Sequence, residues 1–242
     1  MKALRGRLGK VRIRADVRTT SHGMRHLVSA ITFDVGGTLI ECWPSVGHVY
    51  AEVAARHGFV VSPSFLNRRF KAAWQAFQNF RHTRSQWAEL VDLTFGSLLE
   101  PPPSQTFFPE LYRRFSEPDA WHVYEDVLPT LQLLKSRGLK LGIVSNWDDR
   151  LRPLLRHLNL DVYFETVVVS CEIGACKPAP ELFAAACAAL GCAPENTLHV
   201  GDSLEMDLRG AQSAGLQARQ VRRGIEHPSV SELGSLRELD KL

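Results

Sequence analysis

Five short apolar runs, each ending in a polar turn, constrain the fold of this 242-residue chain more than any other feature. They cover residues 30–35, 139–145, 166–170, 197–201 and 217–221. Runs of this length, apolar on both faces, suit the interior of a parallel sheet covered by helices on each side. The segments between them have helical punctuation. Residues 127–137 stop at Gly138, Pro180 opens 181–190 ahead of Gly191, and Ser203 can cap 204–214 ahead of Gly215. Strand and helix alternate from about residue 125 onward, which predicts an α/β fold built on a doubly wound parallel sheet.

Residues 43–124 break that rhythm. Val46, Val49, Tyr50, Val53 and Ala54 share one helical face, and Leu66, Phe70, Ala73, Trp74 and Phe77 share another. Trp87, Leu90, Val91 and Phe95 form a third stripe. Leu111, Tyr112 and Phe115 form a fourth, after the proline-rich loop 100–104. Aromatic stripes at this spacing read as packing, so the segment is expected to be an all-helical insert placed after the first strand.

Charge is unevenly distributed. Residues 1–23 hold seven Lys/Arg against Asp16, a net +6, while the other 219 residues hold 22 basic and 25 acidic side chains. The pI near 8.7 therefore belongs to the N-terminal stretch, and a basic body for nucleic acid is excluded. That stretch reads as translated sequence ahead of a start at Met24 and as a disordered extension; an organelle-targeting segment is the alternative. No apolar run reaches the ~20 residues a bilayer span needs. Five cysteines, Cys42, Cys171, Cys176, Cys187 and Cys192, lack zinc-site spacing and read as reduced thiols of a cytosolic protein.

Four short elements stand at the ends of the expected strands, where open α/β sheets place their sites. They are residues 34–39 (DVGGTL), Ser145-Asn146, Lys177-Pro178 and residues 201–207 (GDSLEMD). Carboxylates at Asp34 and Asp202 on neighbouring strand ends would repel unless a hard cation such as Mg²⁺ joined them. Gly36 and Gly37 allow backbone N–H groups close to an anion. Thr38 or Ser145 can donate to a phosphoryl oxygen, and Lys177 supplies a point charge. Asp34 is then a candidate nucleophile, and phosphoryl transfer, which needs mainly positioning and positive charge, is the reaction this set suits.

These motifs resemble the haloacid dehalogenase superfamily over residues 30–221, and the helical insert resembles the C1 cap of its subfamily I. The resemblance implies a Rossmann-like core of residues 24–42 and 125–242 with a cap of residues 43–124. It also implies Mg²⁺ as cofactor and a small phosphorylated substrate. Asp34 would be nucleophile and metal ligand, with the Gly36 carbonyl and Asp202 as further ligands and Asp207 acting through water or orienting Lys177. Gly37, Thr38, Ser145, Asn146 and Lys177 would hold the transferred group. Residues 44–50, 145–148 and 201–207 look most like the branch of haloacid dehalogenase-like hydrolase domain-containing protein 3.

One position departs from the family pattern. Family phosphatases have a second Asp two residues after the nucleophile as general acid/base, and here that residue is Gly36. A positioned acid is worth roughly 10²–10⁴-fold. Three outcomes stay open: a substrate with a good leaving group, a donor from the cap such as His48, or a weakly catalytic protein that binds a phosphorylated ligand or a protein partner. Metal-independent 2-haloacid dehalogenation is a further alternative, opposed by the Asp202/Asp207 pair.

Overall fold

The computed structural model describes residues 27–225 and 228–242. Residues 1–26, which include the basic stretch and Met24, lie outside the described residues. The chain begins with β1 (Ala30–Phe33) and β2 (Ile40–Cys42). The helices α1 (Val46–Arg56), α2 (Pro63–Ala76), α3 (Arg84–Phe95) and α4 (Phe108–Arg114) follow. Then come β3 (Trp121–Val123), α5 (Val127–Ser136), β4 (Lys140–Ser145), α6 (Leu151–His157), β5 (Thr166–Val169) and α7 (Ser170–Ile173). The described residues end with α8 (Pro180–Leu190), β6 (Thr197–Gly201), α9 (Gly210–Ser213), β7 (Gln217–Val221), β8 (Glu232–Leu233) and a 3₁₀ turn, Leu236–Lys241.

Six strands form a parallel sheet in the order β5-β4-β1-β6-β7-β8. Ile31, Phe33, Leu141, Ile143, Leu198 and Val200 pack on one face against α5, α6 and the C-terminal 3₁₀ turn. Val144 and Val168 point to the other face, against Leu182, Phe183 and Ala186 of α8 and Ala211 of α9. Each fully buried leucine or phenylalanine in these layers contributes about 1.5–3 kcal/mol. Helices on both faces explain why the strands read as unbroken apolar runs. From β1 the chain winds outward to β4 and β5, then crosses to β6. The reversal opens a crevice at the C-terminal ends of β1 and β6.

Helices α1 to α4 enclose a second core around Tyr50, which stacks on Phe95 at 6.0 Å and meets Phe70 and Phe115 edge-on. The chain enters this helical layer through β2 and leaves through β3. These two strands pair antiparallel, with Ile40 opposite Val123 and Cys42 opposite Trp121.

The structure differs from the sequence expectation in several places. The first run forms a strand only to Phe33; the Asp34 N–H still reaches the Val200 carbonyl at 2.9 Å, and the chain then turns over residues 37–39. Residues 204–214 are not one α-helix. A π-helical turn, Leu204–Arg209, precedes α9, with Ser203 Oγ accepting from the Met206 N–H at 3.2 Å as its cap. Strands β2, β3 and β8 were not anticipated.

Candidate active site

The polar elements read from the sequence converge on the crevice. Asp34 follows β1, Ser145 ends β4, and Lys177 lies between α7 and α8. Asp202 follows β6, and Asp207 sits in the π-helical turn. Ser145 Oγ donates to Asp34 Oδ1 at 2.9 Å, and Lys177 Nζ donates to the same oxygen at 2.6 Å. Lys177 also donates to Asp207 Oδ1 at 2.5 Å. Asp34 Oδ2 accepts no hydrogen bond among the described residues, so one carboxylate oxygen is held while the other keeps its lone pairs.

Asp207 is held from three sides. Besides Lys177, it receives the Ser203 N–H at 2.9 Å and His199 Nε2 at 3.1 Å. His199 Nδ1 lies 2.9 Å from Thr32 Oγ1, so Nε2–H donates to Asp207 and Nδ1 accepts from Thr32. Thr32, His199, Asp207, Lys177 and Asp34 thus form one buried polar chain. Thr32 and His199 were missed in the sequence, where both sit inside apolar strands. A lone polar residue at an alternate strand position was the only signal.

Burial pushes Asp34 up and Lys177 opposes it, while the Asp207 charge adds to the rise; the outcome is a raised value. For Lys177, burial is outweighed by Asp34 and Asp207, and the ammonium is held more firmly than usual. Asp207 is also buried, yet Lys177 and the His199 hydrogen bond hold it well below the usual carboxylate range. Asp202 is exposed at the crevice, but its carboxylate is screened enough from water, and close enough to Asp34 and Asp207, to be pushed up to about 7.

Oxygens of Asp34, Asp202 and Asp207 lie within 4.8 Å of one another, opposed by the single charge of Lys177. This surplus of negative charge on hard oxygen donors fits a small divalent cation. Asp207 is engaged by three protein donors, so it suits an outer position. A folded-state value raised from 3.8 to about 7 means that Asp202 binds its proton more tightly folded than unfolded. The metal-free protein therefore loses stability as pH rises through that window. Asp202→Asn is expected to flatten this part of the profile, as measured by thermal melts in EDTA. An unchanged slope in the variant would refute the assignment.

Three expected phosphate-binding residues are placed otherwise. The Gly37 N–H donates to the Ile40 carbonyl at 2.8 Å. Its φ of +76° and the 2.5 Å that would separate a Cβ from Asp202 Oδ2 both require glycine. Thr38 is fully buried with its hydroxyl unpartnered, away from the crevice. Asn146 lines the crevice, but its amide clamps the backbone of Lys177, accepting from the N–H at 2.7 Å and donating to the carbonyl at 3.1 Å. It positions the lysine. His48 does not line the crevice. It is exposed and bonded to Ser45 Oγ at 2.7 Å, which removes it as the substitute acid.

Gly36 has a neighbour with consequences. A Cβ there would meet the Trp147 ring at 3.3 Å, and that ring packs on Trp121 at 5.2 Å between centroids. The Trp147 backbone is tied to Ser170 Oγ through both its N–H and its carbonyl, so only the ring can yield.

The helical layer closes over the crevice. Arg150, in the loop after β4, is bidentate with Asp148 and donates to the Tyr112 carbonyl at 2.9 Å. Its guanidinium lies 3.7 Å from the Tyr112 ring centroid and 5.2 Å from that of Trp87. Trp74 and Phe77, expected as packing, pack on Phe80 and with it also line the space beneath. Among the described residues no helix is long and apolar enough to cross a membrane.

The sequence profile of the haloacid dehalogenase-like hydrolases matches residues 28–215. The Mus musculus haloacid dehalogenase-like hydrolase domain-containing protein 3 is 36% identical over 199 residues, covering 78% of this chain and 79% of that one. A Methanopyrus kandleri glyceraldehyde 3-phosphate phosphatase is 41% identical over 107 residues, 42% of this chain and 44% of its own. The crystal structure of a HAD phosphatase from Thermococcus onnurineus is similar at a TM-score of 0.66 and 28% identity, covering 88% of this chain and 97% of that one. Profile, sequence and fold agree: the chain belongs to the haloacid dehalogenase-like hydrolases.

Proposed function

We propose that the protein is a Mg²⁺-dependent phosphatase that cleaves a small phosphorylated molecule through an aspartyl-phosphate on Asp34. The observation that supports it best is the held carboxylate of Asp34, one oxygen fixed by Ser145 and Lys177 and the other free, beside two further carboxylates. Phosphatase-named relatives agree with it.

The free oxygen of Asp34 attacks phosphorus, and the bond to the leaving oxygen breaks. Ser145 and Lys177 shift their hydrogen bonds toward the transferred group and stabilise its charge. Asp207 and Asn146 keep Lys177 in place during this shift. Water then attacks the aspartyl-phosphate and restores the carboxylate. Asp34, Asp202 and the Gly36 carbonyl would hold Mg²⁺, with Asp207 acting through water, and the cation would neutralise the repulsion between these carboxylates and the phosphoryl oxygens. The helical layer excludes water and shapes the substrate site.

Phosphate release from p-nitrophenyl phosphate with Mg²⁺ tests this, since nitrophenolate leaves without a proton donor. Turnover abolished by EDTA is expected. Chloride release from 2-chloropropionate in EDTA, without phosphatase activity, would favour dehalogenation. No turnover over a broad panel would favour a binding protein.

Gly36 carries the second prediction of this reading. Gly36→Asp alone is expected to raise turnover of alkyl phosphates only about 10-fold, below the full value of a positioned acid, because the new side chain must displace the Trp147 ring. Gly36→Asp with Trp147→Leu is expected to gain more. Equal rates in single and double variants would rule out the indole as the obstacle.

A further inference from the structure

The crevice encloses about 850 Å³, room for far more than a phosphoryl group. Its far wall is aromatic. Trp74 stacks on Trp87 at 5.8 Å, and Phe80 meets Trp74 at 5.0 Å, Phe77 at 5.0 Å and Trp87 at 4.8 Å. Trp74 is nonetheless 41% exposed, a large apolar surface without a partner on its open side. This wall offers no free charge. Arg150 is neutralised by Asp148 and the Tyr112 carbonyl, and the buried His82 sits among Phe80, Trp74 and Trp87. Among the described residues lining the crevice, the only other cation is Lys177, which is held by Asp34 and Asp207. A second phosphate or a carboxylate would be stripped of water there with no free cation to replace it; the unpartnered polar atoms of this wall, His82 Nδ1 and Trp87 Nε1, are neutral and offset no charge.

At the near end, the position that would hold a general acid is Gly36, roofed by the Trp147 ring. An alkoxide leaves poorly without a proton, whereas a phenolate, with a conjugate acid near 10, leaves unaided. Wall and floor therefore select the same molecule. We infer that the substrate is an aryl phosphate: a phosphate monoester of a phenol with an extended aromatic or apolar body and no second charge. The inference rests on the phosphatase reading and narrows it. Asp34 forms a bond to phosphorus as the phosphorus–aryl oxygen bond breaks, and the electron pair leaves as phenolate, which takes a proton from water. Water then displaces Asp34 from phosphorus, so aryl phosphate and water give phenol and inorganic phosphate.

The test compares kcat/KM of the full chain with Mg²⁺ for 1-naphthyl phosphate, phenyl phosphate, O-phosphotyrosine, acetyl phosphate and glyceraldehyde 3-phosphate. Naphthyl over phenyl by about 10-fold or more is expected from the extra buried ring, with phosphotyrosine below phenyl despite its phenolic leaving group. Trp74→Ala is expected to shrink the naphthyl-to-phenyl ratio, and Trp74→Phe to preserve most of it. Equal or better turnover of phosphotyrosine or glyceraldehyde 3-phosphate overturns the inference. Acetyl phosphate turnover without an aryl preference overturns it too, while sparing the phosphatase reading. Should nothing turn over, binding of 1-naphthylphosphonate and phenylphosphonate, read by tryptophan fluorescence, decides. A tighter naphthyl compound supports the ligand class although the phosphatase reading fails, and no difference overturns both.

Discussion

Asp34→Asn is expected to cut p-nitrophenyl phosphate turnover by ~10⁴-fold or more while leaving the melting temperature at neutral pH equal to or above that of the parent. The two halves of this result have different origins. The amide matches the carboxylate in shape, and its oxygen still accepts from Ser145 and Lys177, so the buried hydrogen bonds survive. The nucleophilic lone pair is lost, because an amide oxygen does not form a stable bond to phosphorus. Stability moves the other way. Burial and Asp207 raise the Asp34 carboxyl, so ionising it at neutral pH weakens the fold, and the neutral variant escapes that cost. Phosphate release and thermal melts on one preparation check both halves. Turnover within tenfold of the parent would remove Asp34 as nucleophile, and a large drop in melting temperature would show that it is chiefly structural.

Lys177→Met is expected to harm both properties. The lysine is almost fully buried and bridges Asp34 and Asp207. Without it, two buried carboxylates face each other unpaired, a loss of about 3–5 kcal/mol at neutral pH. Turnover is expected to fall about 10²–10³-fold, as for removal of a donor to developing transition-state charge. The pH dependence gives the signature. Lys177 has a raised value, so its contribution is complete below 10.5 and lost only above that raised value. The deficit of the variant should shrink toward acid pH as Asp34, the raised carboxyl, takes a proton before Asp207 does. Denaturant melts across pH measure this, and a pH-independent deficit would place the effect in packing. Lys177→Met combined with Asp34→Asn should recover much of the stability and none of the activity.

The parallel sheet was legible because strands covered on both faces must be mostly apolar, and the middles of β1, β4, β5 and β6 are, apart from Thr32 and His199. The polar residues at their ends were legible for the complementary reason that a turn out of a buried sheet has little use for an aspartate pair or a lysine. What escaped has physical causes too. Strands β2 and β3 contribute three residues each, too few to set up an alternation. His199 and Thr32 satisfy each other across paired strands, an arrangement visible only once Thr32 and His199 are in register. Asn146 differs from its expected use because a side chain's partner depends on where the next loop lies, and Thr38 because its turn buries the hydroxyl. Trp74 shares a helical stripe with buried Leu66 and Ala73, yet faces the crevice. Periodicity identifies a face, and only the neighbours decide whether protein or ligand covers it.

The pairing of β2 with β3 brings the two ends of the helical layer side by side, Cys42 opposite Trp121. Whatever lies between them, the joint seen by the sheet is the same short ribbon. The closing distance is fixed there, and lengthening a loop costs only about 0.6 kcal/mol per doubling. Insertions in the loops between residues 43 and 120 are thus expected to leave the Asp34 loop undisturbed. This is a splice point: a foreign helical layer grafted between Cys42 and Trp121 is expected to sit over the same Asp34 crevice and bring its own taste in substrates.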